Sequence, residues 1–183
     1  DLIASSQITF LEGYLFDPEH AKQAFIKAAD IAHEAGHRVA LSLSDPFCVE
    51  RHREDFKALI EHHIDLLFAN EEEIKHLYHQ DNFEDAVQII SGKCEVAALT
   101  RSEKGSVIIT PDEQIIIDAE KVRAVDTTGA GDQYAAGFLY GWTEGMPLDK
   151  CGKLATMAAS EVITHMGPRP ETPYKEFLRK LAA

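Results

Sequence analysis

The sequence predicts an α/β fold in which a mainly parallel sheet is flanked by helices. Short aliphatic or β-branched runs alternate with helical stretches along the first hundred residues, which is typical of a parallel sheet covered by helices. Two further short runs on either side of Pro111 predict a β-hairpin, and the chain beyond Gly131 is mostly helical. No repeat, low-complexity tract or Gly/Ser linker interrupts this pattern, so we expect one domain over residues 1–183.

The predicted elements of the first half alternate strand and helix. Ile8–Leu15 is predicted as a strand, and the next helix is one that Asp17 caps, Pro18 opens and Gly36 ends. The elements that follow are, in order, a strand Arg38–Leu43, a helix over about Val49–His62, a strand Asp65–Ala69, two helical pieces of which the second begins near Asn82, and a strand Val96–Thr100.

The second half begins with a predicted hairpin and continues as helices. Ser106–Thr110 and Gln114–Asp118 are the hairpin strands, joined around Pro111. The predicted helices run from Gly131 to about Gly145, from Pro147 to about Thr164, and onward from Thr172-Pro173. The prolines and glycine of Met166–Pro170 exclude a helix there, so this segment is predicted to be a loop.

Composition excludes several classes of protein. The formal net charge is -13, from 31 acidic and 18 basic residues, and would repel a phosphate backbone, so nucleic acid is not expected as a partner. No apolar run approaches the ~20 residues of a bilayer span and no charged-then-apolar leader opens the chain, so we expect a cytoplasmic protein without membrane contact. The three cysteines are widely spaced and form no C-x-x-C pair, which favours reduced thiols.

The segment Asp126–Asp132, followed by the apolar run Gln133–Leu139, carries the strongest chemical signal. Its small residues allow a tight turn with bare amides, and the helix behind it directs its positive end to the same point, which suits an anion. Asp132 places a carboxylate beside that point, as activation of a hydroxyl for phosphoryl transfer requires. The same residues also fit a glycine turn with Asp132 as an N-terminal helix residue, and the segment alone leaves both interpretations open.

The segment resembles the second signature of the PfkB, or ribokinase-like, family of small-molecule kinases. Asn70–Glu73 is similar to that family's N-x-x-E motif, and Leu99–Gly105 is similar to its nucleotide-binding turn. The sequences of Leu11–Leu15 and Leu41–Phe47 most resemble those of adenosine-kinase-like bacterial members. The resemblance implies a ribokinase-like three-layer sandwich, of which residues 1–183 would be the nucleotide-binding and catalytic C-terminal part, without the N-terminal strands and lid.

The resemblance assigns catalytic roles to the glycine-rich turn. Asp132 would be the general base, and the amides of Gly129, Ala130 and Gly131 would stabilise charge that develops on the γ-phosphate. Phosphoryl transfer depends mainly on positioning and electrostatics, so these few groups could suffice.

Cofactor sites are also implied by the resemblance. Asn70 and Glu73 lie one helical turn apart and would hold the waters of a Mg²⁺ ion that accompanies ATP, although both also fit a helix N-terminus. The remaining nucleotide-binding positions would be Thr100, Ser102 and Gly105 in the turn, where many family members carry glycine at the position of Ser102, and Thr156, Ala159 and Ser160 on the helix that borders the adenine.

Metal positions follow from the same resemblance. Glu12 would lie near the phosphates as a buried acid that needs a partner. A monovalent cation, K⁺, would be held by oxygen atoms, which suit a hard ion. Its ligands would be Asp126 and the carbonyls of Thr128, Val162, His165 and Gly167.

Alternatives from other classes are weaker. His76 and His79, with Glu72 or Glu73 one turn before them, could form a zinc site, but a solvated helix face explains the same residues. A dinucleotide oxidoreductase lacks support because no G-x-G-x-x-G with a downstream acid is present.

The sequence therefore predicts an ATP-dependent kinase that phosphorylates a hydroxyl of a sugar or nucleoside, with adenosine favoured. The rival interpretation is a nucleotide-binding fragment or regulatory module that holds ATP without turnover. Because the resemblance implies that the lid and most sugar-binding residues belong to the N-terminal portion, this chain could be inactive as it stands. An open sheet edge and exposed apolar surface would favour self-association, so a homodimer is expected.

Overall fold

The computed structural model describes residues 2–182 and contains one mixed six-stranded sheet. The strands lie in chain order and are β1 Ile8–Glu12, β2 Arg38–Ser42, β3 Leu66–Asn70, β4 Val96–Thr100, β5 Ser106–Ile109 and β6 Gln114–Ile117. β1 pairs with β2, and β2 with β3, in parallel, with Ile8 opposite Arg38 and Ala40 opposite Leu66. β5 and β6 are neighbours joined by residues 110–113, and so short a connection makes them the predicted hairpin.

The helices supply the rest of the regular structure. They are α1 Glu19–Glu34, α2 Pro46–His62, α3 Glu71–Tyr78, α4 Phe83–Ile90, α5 Ala130–Thr143, α6 Leu148–Val162 and α7 Tyr174–Ala182. Two short 3₁₀ turns cover Gly13–Phe16 and Ser102–Lys104. Across residues 2–182, none of the helices combines the length and the apolar character that a bilayer crossing requires. Met166–Pro170 is irregular, as predicted.

The first predicted strand is three residues too long. It ends at Glu12 instead of Leu15, because Gly13 passes close to the backbone of residues 42 and 43. A β-carbon at Gly13 would lie 2.7 Å from the carbonyl oxygen of Leu43. The glycine that looked like a strand residue is therefore the point where the chain leaves the sheet.

Two helix starts also differ from the prediction. α2 begins at Pro46 and not near Val49, because the Asp45 carboxylate accepts the amide of Cys48 at 2.7 Å and caps the first turn. Pro18 occupies the cap position of α1, and Asp17 makes no capping bond. The other predicted elements agree with the structure within about three residues, the usual uncertainty of boundaries.

The chain divides into two compact units, and the first comprises residues 2–99 and 109–114. Its core is built from the near-continuous apolar runs of β2 and β3, which are buried on both faces as expected for parallel strands. Phe16 anchors one end of the unit, with its ring centroid 4.9 Å from that of Phe56 and 5.2 Å from that of Phe25. This unit carries Asn70 and Glu73.

The second unit comprises residues 100–108 and 115–182. α5 and α6 pack so closely that a β-carbon at Gly137 would lie 2.8 Å from the α-carbon of Ala155. Leu154 and Ala158 of α6 bury Phe177 of α7, which fixes the C-terminal helix to the unit. This unit carries the Asp126–Asp132 segment and the loop between α6 and α7.

Candidate active site

The N-terminus of α5 is formed by the glycine-rich segment. Gly129 is the N-cap and has φ 82°, a left-handed conformation that glycine adopts without strain. The Ala130 amide donates to the Thr127 carbonyl at 3.2 Å, whereas the amides of Gly131 and Asp132 donate to no acceptor within residues 2–182. Of the three amides predicted to meet a phosphate, one is therefore engaged by its own chain and the helix end still presents unbonded donors.

The side chains around this helix end leave one side open. Asp132 is exposed and lies in the first turn, where the helix dipole favours its negative charge. A β-carbon built on Gly131 meets nothing within 4 Å, whereas one built on Gly129 would lie 2.7 Å from the β-carbon of Pro168. A ligand therefore has space beside Gly131 and Asp132, whereas Gly129 packs against Pro168.

Asp126 holds the start of this segment to the loop between α6 and α7 (163–173), called here the α6–α7 loop. One carboxylate oxygen accepts the amide and the hydroxyl of Thr128 at 3.0 and 2.7 Å, and the other accepts the Gly167 amide at 2.9 Å. The Gly167 amide, followed by the two Thr128 donors, lowers the pKa of Asp126 to about 2. The carboxylate is thus ionised and shared between two parts of the unit.

The residues implied for a monovalent cation lie around this junction. The amides of Val125 and Asp126 donate to the Ile163 carbonyl at 2.8 and 3.4 Å, which sets the two backbones side by side. The predicted carbonyl ligands in this region belong to Thr128, Val162, His165 and Gly167. Oxygen donors of this kind suit a hard cation, but the Asp126 carboxylate is already engaged by three donors. The predicted ion site stays a prediction, with the backbone carbonyls as its better-suited ligands.

Asn70 and Glu73 form a complete capping box at the start of α3. The Asn70 side chain accepts the Glu73 amide at 2.9 Å, and Glu73 accepts the Asn70 amide at 2.8 Å and its side-chain amide at 2.6 Å. Glu73 is only 5% exposed. Burial raises the pKa of Glu73 to about 7. The hydrogen bond from the Asn70 amide lowers this pKa, and the negative charge of Asp45 raises it further.

This arrangement decides how the pair could serve Mg²⁺. Both Glu73 oxygens already accept hydrogen bonds, so contact with the ion would be through water, as predicted and as Mg²⁺ commonly allows. The capping role is present in the structure, and the metal role of the same side chains stays a prediction. Among residues 2–182, no group of three or more His, Cys, Asp or Glu side chains is placed to hold a metal ion directly.

The predicted nucleotide-binding turn follows β4. Thr100 ends the strand, and the Arg101 amide donates to the Gly105 carbonyl at 2.8 Å to close the turn. Ser102 has φ 51° and Gly105 has φ 83°, so both lie in the left-handed region. Glycine adopts such a φ without strain, whereas serine does so less readily. A β-carbon at Gly105 would overlap the Ile117 carbonyl, so this glycine is required by packing whatever the turn binds.

The predicted adenine-bordering residues lie on α6. Thr156 and Ser160 are 8% and 7% exposed, and Ala159 is half-buried. The close approach of α5 and α6 is made at other positions, where Gly137 meets Ala155 and Gly141 meets Cys151. Contact with a nucleotide base stays a prediction for all three.

Glu12 differs from its predicted environment. It lies at the last position of β1, opposite Ser42, and is half-buried instead of buried. Its carboxylate therefore does not need the partner that a buried acid would need.

The histidines considered for zinc serve helix α3. His76 is hydrogen-bonded through Nδ1 to the Glu72 carbonyl at 2.8 Å, and His79 is the C-cap with φ 52°. These roles match the solvated helix face that the sequence analysis weighed against a zinc site.

Sequence reasoning missed two polar residues near these sites. Asp45 caps α2 and raises the pKa of Glu73, and Asp45-Pro46 is a recognisable cap followed by proline at the first helical position. Glu161 accepts the amides of Glu171 and Thr172 at 2.9 and 2.7 Å. Its partners are ten and eleven residues away across an irregular loop, so no local pattern could have identified them.

Comparison with known proteins identifies the family of this chain. A family model described as pfkB family carbohydrate kinase matches residues 1–174. The chain therefore belongs to the pfkB family of carbohydrate kinases.

Individual relatives are similar to this chain to different degrees. The structure of adenosine kinase from Sinorhizobium meliloti is 44% identical, with a TM-score of 0.95 over 100% of this chain and 56% of that chain. A nucleoside kinase from Methanocaldococcus jannaschii is 36% identical over 112 residues, which are 61% of this chain and 36% of that protein. The aminoimidazole riboside kinase from Salmonella enterica, solved with aminoimidazole riboside and an ATP analogue, shares the fold at 18% identity and a TM-score of 0.81, over 94% of this chain and 64% of that one.

These likenesses confirm the predicted ribokinase-like fold. They also show that this chain spans about half the length of the S. meliloti structure. The matched part contains all the motifs that the sequence analysis singled out.

Proposed function

We propose that this chain carries the phosphoryl-transfer part of an ATP-dependent kinase that acts on a hydroxyl of a sugar or nucleoside, with adenosine as the favoured acceptor. Membership of the pfkB family supports the reaction class. The 44% identity to an adenosine kinase, and the similarity to a nucleoside kinase, support a nucleoside acceptor.

The observation that carries the proposal is that the first turn of α5 contains both amides without an acceptor and an exposed carboxylate. The amides of Gly131 and Asp132 have no acceptor in the described chain, and the Asp132 side chain is exposed beside them. Helix N-termini bind phosphate through such amides. A carboxylate within the same turn is placed to receive the proton of an acceptor hydroxyl.

Each group has a role in this proposal. The amides at Gly129–Gly131 stabilise negative charge on the γ-phosphate, and the Ala130 amide contributes after exchanging its bond to Thr127. Asp132 orients the acceptor hydroxyl and takes its proton. Asn70 and Glu73 would hold the waters of a Mg²⁺ ion that accompanies ATP, and the ion would supply positive charge to offset that of the phosphates. The turn at Thr100–Gly105 would contact the nucleotide.

A nucleotide-binding module without turnover is the alternative. The chain spans 56% of the length of the S. meliloti kinase. The residues that bind the acceptor, and the lid that closes over it, would then belong to the part of such a kinase that this chain does not match. Without exclusion of water, bound ATP would remain intact or be hydrolysed slowly.

The experiment measures ADP release and acceptor phosphorylation together. The chain is incubated with ATP and Mg²⁺ and with adenosine, ribose or fructose, and the phosphorylated acceptor is identified by mass spectrometry. We expect adenosine monophosphate to accumulate at the rate of ADP release. ATP binding in a calorimeter with no acceptor-dependent ADP would favour the binding module, and preferred phosphorylation of ribose or fructose would contradict the choice of adenosine.

A further inference from the structure

Glu161 holds an unusual position in the last turn of α6. A carboxylate at a helix C-terminus is disfavoured by the helix dipole, and this one is largely removed from water, with a side chain 13% exposed. Its Oε1 atom accepts the amides of Glu171 and Thr172 at 2.9 and 2.7 Å. The other oxygen, Oε2, lies 3.5 Å from Nε2 of His165. The carboxylate therefore ties the far end of the α6–α7 loop back to the helix from which the loop departs.

The middle of the same loop forms the support for the catalytic turn. The Gly167 amide donates to Asp126 at 2.9 Å, and Pro168 lies where a side chain on Gly129 would have to go. The side-chain amide of Gln133, one turn into α5, donates to the Pro168 carbonyl at 3.5 Å. Its Oε1 atom accepts the Tyr174 hydroxyl at 3.0 Å. The loop thus touches both sides of the Gly129 turn.

We propose that Glu161 is a positioning residue for phosphoryl transfer, acting through the α6–α7 loop. By fixing the amides of Glu171 and Thr172, it keeps Pro168 packed against Gly129. That contact holds the left-handed turn that directs the amides of Gly131 and Asp132. The catalytic consequence rests on the proposed kinase function, whereas the effect on the loop does not.

The decisive comparison is Glu161→Ala with Glu161→Gln. Glutamine keeps a carbonyl oxygen that can accept both amides, and alanine removes the acceptor. We expect alanine to lower kcat about 10- to 100-fold, the scale of an ångström-sized misplacement at a reacting centre, with little change in the Kd for ATP. Glutamine should stay within about threefold of the unchanged chain, because the two amide bonds persist.

A control on the same helix separates positioning from general destabilisation. Asp149→Ala removes a carboxylate at the other end of α6, where it pairs with Lys153 at 3.1 Å. This variant should leave kcat unchanged. Equal losses in Asp149→Ala and Glu161→Ala would overturn the proposal, as would a loss of more than tenfold in Glu161→Gln.

Hydrogen exchange followed by mass spectrometry tests the loop without reference to activity. In Glu161→Ala, peptides covering 126–133 and 163–173 should exchange faster, while the first turns of α6 should not change. Unchanged exchange in both peptides would overturn the proposal even if activity fell. If the unchanged chain shows no turnover, the kinase proposal fails and exchange alone decides the role of Glu161. If the alanine variant does not fold, the glutamine variant decides, and faster exchange in it counts against the proposal.

Discussion

Gly129 and Gly131 are separated by one residue but meet different surroundings. Gly129 needs its left-handed φ and lies against Pro168, so the fold itself requires glycine. Gly131 has ordinary helical geometry, and an added β-carbon would point into open space. Only the second glycine therefore offers a substitution that tests ligand approach without disturbing the protein.

Gly131→Ala should stabilise the fold while lowering activity. Alanine is the better helix former, by up to about 1 kcal/mol, so the free energy of unfolding in urea should rise slightly. If a phosphate approaches the Gly131 amide, the new methyl group should obstruct it and reduce kcat/KM for ATP at least about tenfold. Full activity in this variant would contradict the proposed anion contact.

The three cysteine thiols should be unreactive in the folded chain. Burial raises the pKa of Cys48 and of Cys151 to about 11, and that of Cys94 to about 12. Because the thiolate is the reactive form, alkylation by iodoacetamide at pH 8 should be far slower in the native chain than in urea, where an ordinary thiol pKa returns. Rapid native labelling of any one cysteine, measured by mass spectrometry, would contradict its described environment.

Short-range sequence patterns identified candidate functional residues well, but they did not identify hydrogen-bond partners that are distant in the sequence. The glycine-rich turn, Asp132 and the capping pair Asn70 and Glu73 are recognisable because their spacing is local. Glu161 could not be found, since an irregular loop separates it from the amides it accepts.

Two helices, α3 and α4, begin with asparagine caps whose partner carboxylates differ in burial. The side chains of Asn70 and Asn82 make the same two contacts: each accepts the backbone amide of Glu73 or Asp85 and donates to that residue's carboxylate. The Asn70 backbone amide also donates to Glu73, a bond that an alanine at position 70 would keep. Glu73 is buried, whereas Asp85 is exposed. The two asparagine side chains are therefore a matched pair whose partner carboxylates differ in burial.

Asn70→Ala should destabilise the chain more than Asn82→Ala. Loss of an asparagine cap costs about 1 kcal/mol, which we expect for Asn82→Ala. Asn70→Ala also removes a hydrogen bond from a buried carboxylate, so a loss of about 2–3 kcal/mol is expected. Urea unfolding measures both, and equal losses would show that the burial of Glu73 does not add to the effect of the cap.

The contact between α5 and α6 gives a second matched pair. Gly137→Ala places a methyl group 2.8 Å from the Ala155 α-carbon, and overpacking of this kind typically costs 1–3 kcal/mol. Gly131→Ala makes the same change on the same helix in open space. Thermal unfolding should therefore show a lower Tm for Gly137→Ala than for Gly131→Ala. The reverse order would contradict the described helix contact.

Sequence patterns predicted the existence of strands and helices better than their ends. The apolar runs of β3 and β4 have clear limits, and both strands were predicted to within one residue. The end of β1 was wrong because Gly13 leaves the sheet for a steric reason that lies in residues 42 and 43. The start of α2 was wrong because a capping bond from Asp45 extends the helix ahead of its first buried positions.

Over the whole molecule, the sequence predicted the fold class and the family, and the structure with its relatives confirmed both. The chemistry is distributed over two compact units: one carries the capping box at α3, and the other carries the α5 N-terminus and its supporting loop. The strongly acidic chain has no obvious attraction for anionic substrates, since its net charge is -13. Phosphate binding would therefore depend on local amide donors and metal ions, not on the overall field.

The most direct test of the central claim is turnover by Asp132→Asn. The side chain is exposed and makes no hydrogen bond or ion pair in the described chain, so asparagine should leave the fold intact. We predict that kcat for adenosine phosphorylation falls at least about a hundredfold, the usual contribution of a general base, while the Kd for ATP measured by calorimetry stays within about threefold. Unchanged turnover with the same affinity for ATP would contradict the assignment of Asp132 as the base.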